Sequence, residues 1–344
     1  MRDMKASVTK TLDSTNTITY TLNHQIDRIL PANDMFYLCT YAHDPLNDTR
    51  TGKVLKCTPT FEIKAEASNN GCLDATFIDE CLFTVNSDCI DILDQDLKRL
   101  QSMSLKNVGL CVSARERNLT VGCFDGTAWS GDGTIWRNSS VMNDDTALVN
   151  EVSTSARNTT VQANIKAPSS NDSAHRNGRT VRVSDKALWA VHMSTSTKYV
   201  CMGGDDQHLY LLDNDLTLAH KIKIGNIVIS ICSEGSHILV GTYNNRLYRL
   251  DTRMNKIVEE CMTMGSAWRI RKENGGMIMP CMYDGIVLMD NTSISTMYEN
   301  EYDVVTHYKI DGLVYDCCIY GNALYYASFY EGKVFRYDVF GGTA

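Results

Sequence analysis

One short pattern recurs six times along this chain of 344 residues. An apolar run leads into a turn that holds an acidic or amide residue, and a second apolar run follows that ends mostly in Asp. The copies are Phe83 to Asp94, Leu119 to Trp129, Val200 to Asp213, Leu239 to Asp251, Met279 to Asp290 and Tyr326 to Asp338. Each copy predicts two antiparallel strands, and we expect turn residues such as Asp125 and Asp206 to bind the turn amides.

The spacing of these copies predicts the architecture. Turn residues at 88, 125, 206, 244, 284 and 331 mostly repeat at the interval of about 40–45 residues typical of WD-repeat blades. One interval is about twice as long, and it contains the polar stretch from Arg137 to Val183, which has no aromatic residue. We expect a flexible insertion there, because such a stretch cannot join a packed core.

A degenerate seventh copy lies upstream at Phe36 to Tyr41, with a turn expanded from Asp44 to Gly52 before the strand Lys53 to Lys56. The sequence therefore predicts one all-β domain over residues 1–344, a seven-bladed WD-repeat β-propeller. Only six residues follow Asp338, fewer than an outer strand needs. We expect the alternating segment Ala6 to Leu12 to pair with that open edge and close the ring.

Charge and cysteine content narrow the possible partners and compartment. A net charge of -8 argues against nucleic acid and against anionic membranes, so a protein or small molecule is the expected partner of a monomer. The 13 cysteines lack paired metal-site spacing, and Cys111, Cys123, Cys201 and Cys232 stand in apolar runs. We expect buried free thiols, no metal and a cytoplasmic location, since no apolar leader precedes the repeats.

Function in a repeat protein is expected where one blade differs from the others. Trp189, Trp268 and Tyr315 each stand early in a predicted innermost strand. If they surround one mouth of the channel, they could clamp an aromatic or cationic group, and blade packing explains them equally well. Ser328 and His307 could serve ester chemistry, although neither stands in a motif such as GxSxG. No Gly-rich phosphate loop and no HExxH ligand set is present, so no cofactor is expected.

The residues outside the repeat resemble a known family. They include, in order, Leu12-Asp13-Ser14, Leu188-Trp189-Ala190, Trp268-Arg269-Ile270, Cys281-Met282, Leu313-Val314-Tyr315 and Ser328-Phe329-Tyr330. This order resembles the diphthine methyl ester hydrolases, WD-repeat proteins of diphthamide biosynthesis, over nearly the whole chain. The resemblance implies a carboxylic ester hydrolase that removes the methyl ester from methylated diphthine on translation elongation factor 2.

The resemblance also implies roles for single residues. Ser328 would be the nucleophile or a positioning hydroxyl, His307 the base, and Asp74 an orienting or cation-facing carboxylate. Because diphthine carries a trimethylammonium group, aromatic faces suit it. The implied substrate-binding residues are Trp189, Trp268, Arg269, Tyr315, Phe329 and Tyr330.

The chain departs from the family in four places, where Ser184, Ala187, Tyr283 and Glu331 replace the usual His, Glu, His and Asp. These departures leave an alternative, a non-catalytic WD-repeat scaffold that binds a protein or peptide at the channel mouth.

Overall fold

The computed structural model describes residues 2–3, 8–11, 17–22, 25–132, 178–273, 276–289 and 305–338. Within these residues the regular structure is entirely β, and the strands form seven sheets. Three short strands precede the first blade: β1 (Arg2–Asp3), β2 (Val8–Thr11) and β3 (Thr17–Thr21). The remaining strands follow as seven successive blades.

The blades have four antiparallel strands each in the described ranges, except that blade 7 takes only three from its own stretch of chain. Blade 1 contains β4 (Gln25–Ala32), β5 (Met35–Asp44), β6 (Thr49–Cys57) and β7 (Ile63–Asn69); blade 2 contains β8 (Cys72–Ile78), β9 (Cys81–Asn86), β10 (Cys89–Leu93) and β11 (Arg99–Ser104). Blade 3 contains β12 (Gly109–Arg115), β13 (Asn118–Cys123), β14 (Thr127–Asp132) and β15 (Arg179–Arg182); blade 4 contains β16 (Leu188–Met193), β17 (Val200–Gly204), β18 (His208–Leu212) and β19 (Leu218–Lys223). Blade 5 contains β20 (Val228–Glu234), β21 (His237–Thr242), β22 (Arg246–Asp251) and β23 (Lys256–Met262); blade 6 contains β24 (Arg271–Glu273), β25 (Gly276–Pro280), β26 (Ile286–Met289) and β27 (Val305–Lys309); blade 7 contains β28 (Val314–Tyr320), β29 (Ala323–Ser328) and β30 (Lys333–Asp338).

Burial along the strands follows their place in the blade. First strands of neighbouring blades pack against one another around most of the ring, and second strands are covered on both faces. All six residues of β29 are buried, whereas the outer strand β11 alternates between exposed and half-buried positions. Second strands therefore read as continuous apolar runs, which explains why the six predicted copies coincide with second and third strands.

Among the described residues, seven hydrophobic clusters each join one blade to the next, and an eighth, formed by Met282, Leu313 and Phe329, joins blades 6 and 7 a second time. Blades 7 and 1 meet through Phe36 and Tyr325, whose ring centroids are 4.3 Å apart. All 13 cysteines are free and most are buried in or beside these clusters, which confirms the predicted buried thiols. The ring is thus closed by side-chain packing at every blade interface.

The strand that closes the ring differs from the predicted one. β3 pairs antiparallel with β30, from Thr17 opposite Tyr337 to Thr21 opposite Lys333, and so supplies the outer strand of blade 7. The predicted segment Ala6 to Leu12 was the wrong choice, because β2 within it pairs parallel with β27 of blade 6, and β1 pairs with β23 of blade 5. Blade 1 begins at residue 25 and lies beside blade 7 in the ring. β3, the segment directly before blade 1 in sequence, therefore pairs with the edge of blade 7.

Two predicted boundaries also change. Residues 137–177 of the predicted insertion lie outside the described residues. Its last part, Arg179–Arg182, forms β15 and pairs with the outer edge of β14. In blade 1 the predicted turn from Asp44 to Gly52 is shorter, since β5 and β6 continue their pairing out to Asp44 opposite Thr49. The predicted turn acids are confirmed: Asp125 accepts the amide of Thr127 at 3.0 Å.

Candidate functional site

The first strand of a blade carries one extra residue near its start. The pairing of first with second strands shifts at this point in six blades, and a β-bulge of this kind re-aims a side chain. In blade 6 the corresponding residue, Trp268, precedes β24 and donates its backbone N–H to the Pro280 carbonyl at 2.9 Å. The residues at this bulge position, one from each blade, are Asp27, Leu73, Leu110, Trp189, Ile229, Trp268 and Tyr315.

All seven bulge residues line one cavity of about 320 Å³ at the mouth of the channel. The rest of its wall consists of Tyr41, Arg50, Val108, Cys111, Phe124, Arg269 and Phe329. The wall is mostly apolar, with few charged groups, which is the usual make-up of a ligand site. Five of the six predicted substrate-binding residues therefore face one cavity, and the sixth, Tyr330, lies at its rim.

Five aromatic residues of the site, from Trp189 to Tyr330, form a continuous row, which we call the aromatic row. Ring centroids are 6.0 Å apart for Trp189 and Trp268, 4.6 Å for Trp268 and Tyr315, 4.6 Å for Tyr315 and Phe329, and 5.2 Å for Phe329 and Tyr330. Asp205 anchors one end by accepting a 2.7 Å hydrogen bond from Trp189 Nε1. The rings therefore pack on one another and also line the cavity.

Beneath the cavity, five charged groups from four blades form a buried ion cluster, namely Arg28, Asp74, Arg269, Arg271 and Asp316. The Asp74 carboxylate lies 3.0 Å from Arg28 Nε and 3.2 Å from Arg269 Nη1, and Asp316 lies 3.4 Å and 3.8 Å from the same two side chains. Each carboxylate also accepts a backbone N–H from the next blade. Burial acts to raise the pKa of Asp316, but Arg271, Arg28 and Arg269 outweigh it and hold the pKa below its usual value.

The structure does not bring the three predicted catalytic residues together. Ser328, His307 and Asp74 lie in blades 7, 6 and 2, and no hydrogen bond among the described residues joins any two of them. Ser328 is 1% exposed and occupies the same register position as Thr242 of blade 5. His307 Nε2 contacts the carbonyl of Asp284, and the Asp74 carboxylate forms ion pairs with Arg28 and Arg269.

Exposed aromatic side chains surround the cavity. Phe124, Tyr243, Tyr283 and Tyr330 all stand in turns between second and third strands, and each is more than half exposed. Tyr330 and Tyr283 interact through their hydroxyl groups, and Tyr243 lies close enough to affect the pKa of Tyr283. The channel-mouth face thus carries an apolar rim that continues outward from the cavity.

Sequence reasoning missed Asp27, which stands at the bulge position of blade 1. Aligning Ile26-Asp27-Arg28 with Leu188-Trp189-Ala190 would have identified it, but the blade 1 repeat is too degenerate to suggest that alignment. It also assigned the cation-facing role to Asp74, one position further along the strand, where side chains enter the ion cluster. The described residues contain no cluster of His, Cys, Asp or Glu suited to a metal ion, and none of their segments is a helix able to span a membrane.

The seven blades and the WD-type turns define a WD40 β-propeller. No protein-family model and no curated protein matches the sequence. Solved structures do match the fold. A chain of the mitotic checkpoint complex is 11% identical, with a TM-score of 0.67 over 99% of this chain and 96% of that one.

Two further propellers give the same result. The WD40 β-propeller domain of Doa1 is 10% identical, with a TM-score of 0.64 over 96% of this chain and 97% of that one. The WD40 domain of Neurospora crassa Pan2 is 9% identical, with a TM-score of 0.65 over 96% and 98%. At such low identity the likeness concerns the fold alone.

Proposed function

We propose that this propeller binds a protein partner at its channel-mouth face and seats there a side chain that ends in a quaternary ammonium group. The observation that carries this proposal is the aromatic row along one wall of the cavity. A quaternary cation cannot donate a hydrogen bond and is held well by aromatic faces. The exposed aromatic rim gives the surrounding partner surface an apolar area to cover.

The finer proposal is that the partner is translation elongation factor 2 and that the seated group is methylated diphthine, whose methyl ester is hydrolysed. The resemblance to the diphthine methyl ester hydrolases supports it, because Trp268, Arg269, Tyr315 and Phe329 carry the resemblance and also line the cavity. A cytoplasmic location belongs to the same proposal and agrees with 13 free thiols.

A second candidate function is a scaffold that binds the same group without turnover. The observation that favours it is the separation of Ser328, His307 and Asp74, each of which lies in a different blade with surroundings of its own. Ester hydrolysis needs a nucleophile and a base within reach of one another. The two candidates share the seat and differ only in chemistry.

One experiment separates them. Purified elongation factor 2 that carries methylated diphthine is mixed with the propeller, and both complex formation and methanol release are measured. Replacing Trp268 by Leu should weaken binding at least tenfold, about 1.4 kcal/mol, because the cation loses an aromatic face while the cavity stays apolar. Phe335→Leu is the matched control. Phe335 stacks on Tyr326 with ring centroids 4.7 Å apart, and it does not line the cavity.

Methanol release by the wild-type protein supports the esterase. Complex formation without release, weakened by Trp268→Leu, supports the scaffold. No complex, or equal weakening by Trp268→Leu and Phe335→Leu, contradicts the ammonium seat itself.

A further inference from the structure

Asp27 is a buried acid that lines the cavity and has no hydrogen-bond or ion-pair partner among the described residues. It stands at the bulge position of β4, is 7% exposed, and its Oδ2 accepts no hydrogen bond in the described part of the chain. No ion pair reaches it from the described residues. Because leaving a buried carboxyl unpaired is costly, such a group usually marks a site that something else completes.

The charged neighbours of Asp27 are already occupied. Arg269 is the cation that favours a negative charge on Asp27, but it lies between Asp74 and Asp316 in the ion cluster, at 3.2 Å and 3.8 Å. Arg28, the next residue, pairs with the same two acids, which both disfavour a negative charge on Asp27. The cavity's other cation, Arg50, pairs with Asp48 at 3.2 Å.

Asp27 also adjoins the aromatic row. Blade 1 follows blade 7 around the ring, so the bulge residue Asp27 is next to Tyr315, which ends the arc that Trp189 and Trp268 begin. The phenol of Tyr315 cannot supply a positive charge, and burial raises its pKa further. An aromatic wall beside a single unpaired carboxyl is complementary to a cation that has an apolar surface.

We propose that Asp27 is the counter-charge of the ammonium seat and that a cationic ligand takes the place of its proton on binding. The inference rests on the proposed function and names the group that makes the seat selective for charge. Burial raises the pKa of the Asp27 carboxyl well above its usual value, which favours the protonated form as long as no cation lies beside it. When a quaternary ammonium enters, the O–H bond of the carboxyl breaks, the proton leaves to solvent, and the carboxylate pairs with the cation.

The test uses a charged probe and its neutral isostere. Choline and 3,3-dimethylbutan-1-ol have the same shape and differ only in nitrogen against carbon. Both are titrated calorimetrically into the wild-type protein and into Asp27→Asn, with melting temperatures measured to establish that both proteins are folded. We expect the wild type to prefer choline at least tenfold, and Asp27→Asn to lose that preference while it binds the neutral probe unchanged.

Proton release gives a second readout that needs no variant. Titration of choline in two buffers of different ionisation enthalpy should give different heats for the wild type and equal heats for Asp27→Asn. Wild-type affinity for choline should also rise with pH by up to tenfold per pH unit below the pKa of Asp27.

The outcomes are distinguishable. An unchanged choline preference in Asp27→Asn, or buffer-independent heats in the wild type, overturns the role of Asp27 and leaves the aromatic seat standing. Equal wild-type affinity for both probes, or no binding of choline, overturns the seat and Asp27 together. Loss of turnover in Asp27→Asn with choline preference retained would make Asp27 part of the chemistry instead, and so also overturns the counter-charge role.

Discussion

At the scale of the residue, one position per blade decides what the propeller offers to a ligand. The bulge position holds an acid in blade 1, aliphatic residues in blades 2, 3 and 5, and aromatic residues in blades 4, 6 and 7. The position after it builds the ion cluster through Arg28, Asp74, Arg269 and Asp316. Adjacent positions therefore have separate tasks, because side chains on a strand alternate in direction.

His192 allows a prediction at this scale. Burial lowers the pKa of His192 to about 4, and its Nε2 has no hydrogen-bond partner in the described structure. The unfolded chain takes up the proton near pH 6.5 and the folded one only near 4, so stability is complete above 6.5 and falls as the pH drops through that interval. Between pH 7 and pH 4.5 the wild type should lose about 2 kcal/mol through this residue.

His192→Met removes the titrating group and keeps an adaptable side chain of similar size. Chemical denaturation at both pH values should show the variant within about 1 kcal/mol of the wild type at pH 7 and about 2 kcal/mol more stable than it at pH 4.5. Contributions from acids such as Asp316 cancel in this comparison. A stability difference that stays the same at both pH values would mean that His192 takes up its proton in the folded state.

How much of the site is predictable depends on whether a residue breaks the repeat. Trp189, Trp268 and Tyr315 are large rings where a strand normally begins with small or aliphatic residues, so they stand out in the sequence. Asp27 does not, because acids are common throughout the chain and its unpaired state exists only in three dimensions. The separation of Ser328, His307 and Asp74 is equally beyond the sequence, since these residues belong to three different blades.

At the scale of the element, turns between second and third strands are what the sequence marks most clearly. They need residues that accept amide protons or adopt a positive φ, and both are chemically distinctive. Outer strands lack such marks, because they are mostly exposed and their polar composition resembles that of loops. For this reason the sequence places β15 within the insertion. Glycines with a positive φ separate two reasons why a turn needs glycine, namely the backbone conformation and the lack of space for a Cβ atom.

Gly126 and Gly225 form a matched pair for this question, because both have φ of +83°. A Cβ on Gly126 would overlap the carbonyl of Ser184, whereas one on Gly225 would meet nothing within 4 Å. Gly225→Ala should cost about 1 kcal/mol from the backbone alone, and Gly126→Ala at least about 3 kcal/mol, as measured by chemical denaturation. Equal losses would show that the turn around Gly126 moves to make room.

At the scale of the whole molecule, the propeller depends on closing seven interfaces in a ring. A core cluster and the ion pair and hydrogen bond that Asp316 forms with Arg28 and Ile29 join blade 7 to blade 1, and β3 adds main-chain pairing to the last exposed edge. The sequence correctly indicates that an N-terminal strand closes the ring, but three N-terminal segments pair with three different blades. Runs rich in Thr, Val and Ile occur in both Val8–Thr11 and Thr17–Thr21, so pattern alone could not choose between these two segments.

Truncation distinguishes the closing strand from the two parallel strands. Removing residues 1–12 deletes β1 and β2 but leaves four strands in every blade, so its cost should be small. Removing residues 1–22 also deletes β3, exposes the edge of β30, and takes away Tyr20 and Leu22, which pack on the cluster between blades 7 and 1. Loss of that burial should cost about 4 kcal/mol more and promote association through the open edge.

Thermal unfolding and light scattering on the three proteins measure both effects. We expect the melting temperature to change little for the shorter deletion and to fall clearly for the longer one, with aggregates appearing only in the latter. The double substitution Tyr20→Ala and Leu22→Ala in the full chain separates packing from pairing, because it removes the side chains and keeps the strand. If the shorter deletion were as damaging as the longer one, closure would depend on β1 and β2 and the assignment of β3 as the closing strand would fail.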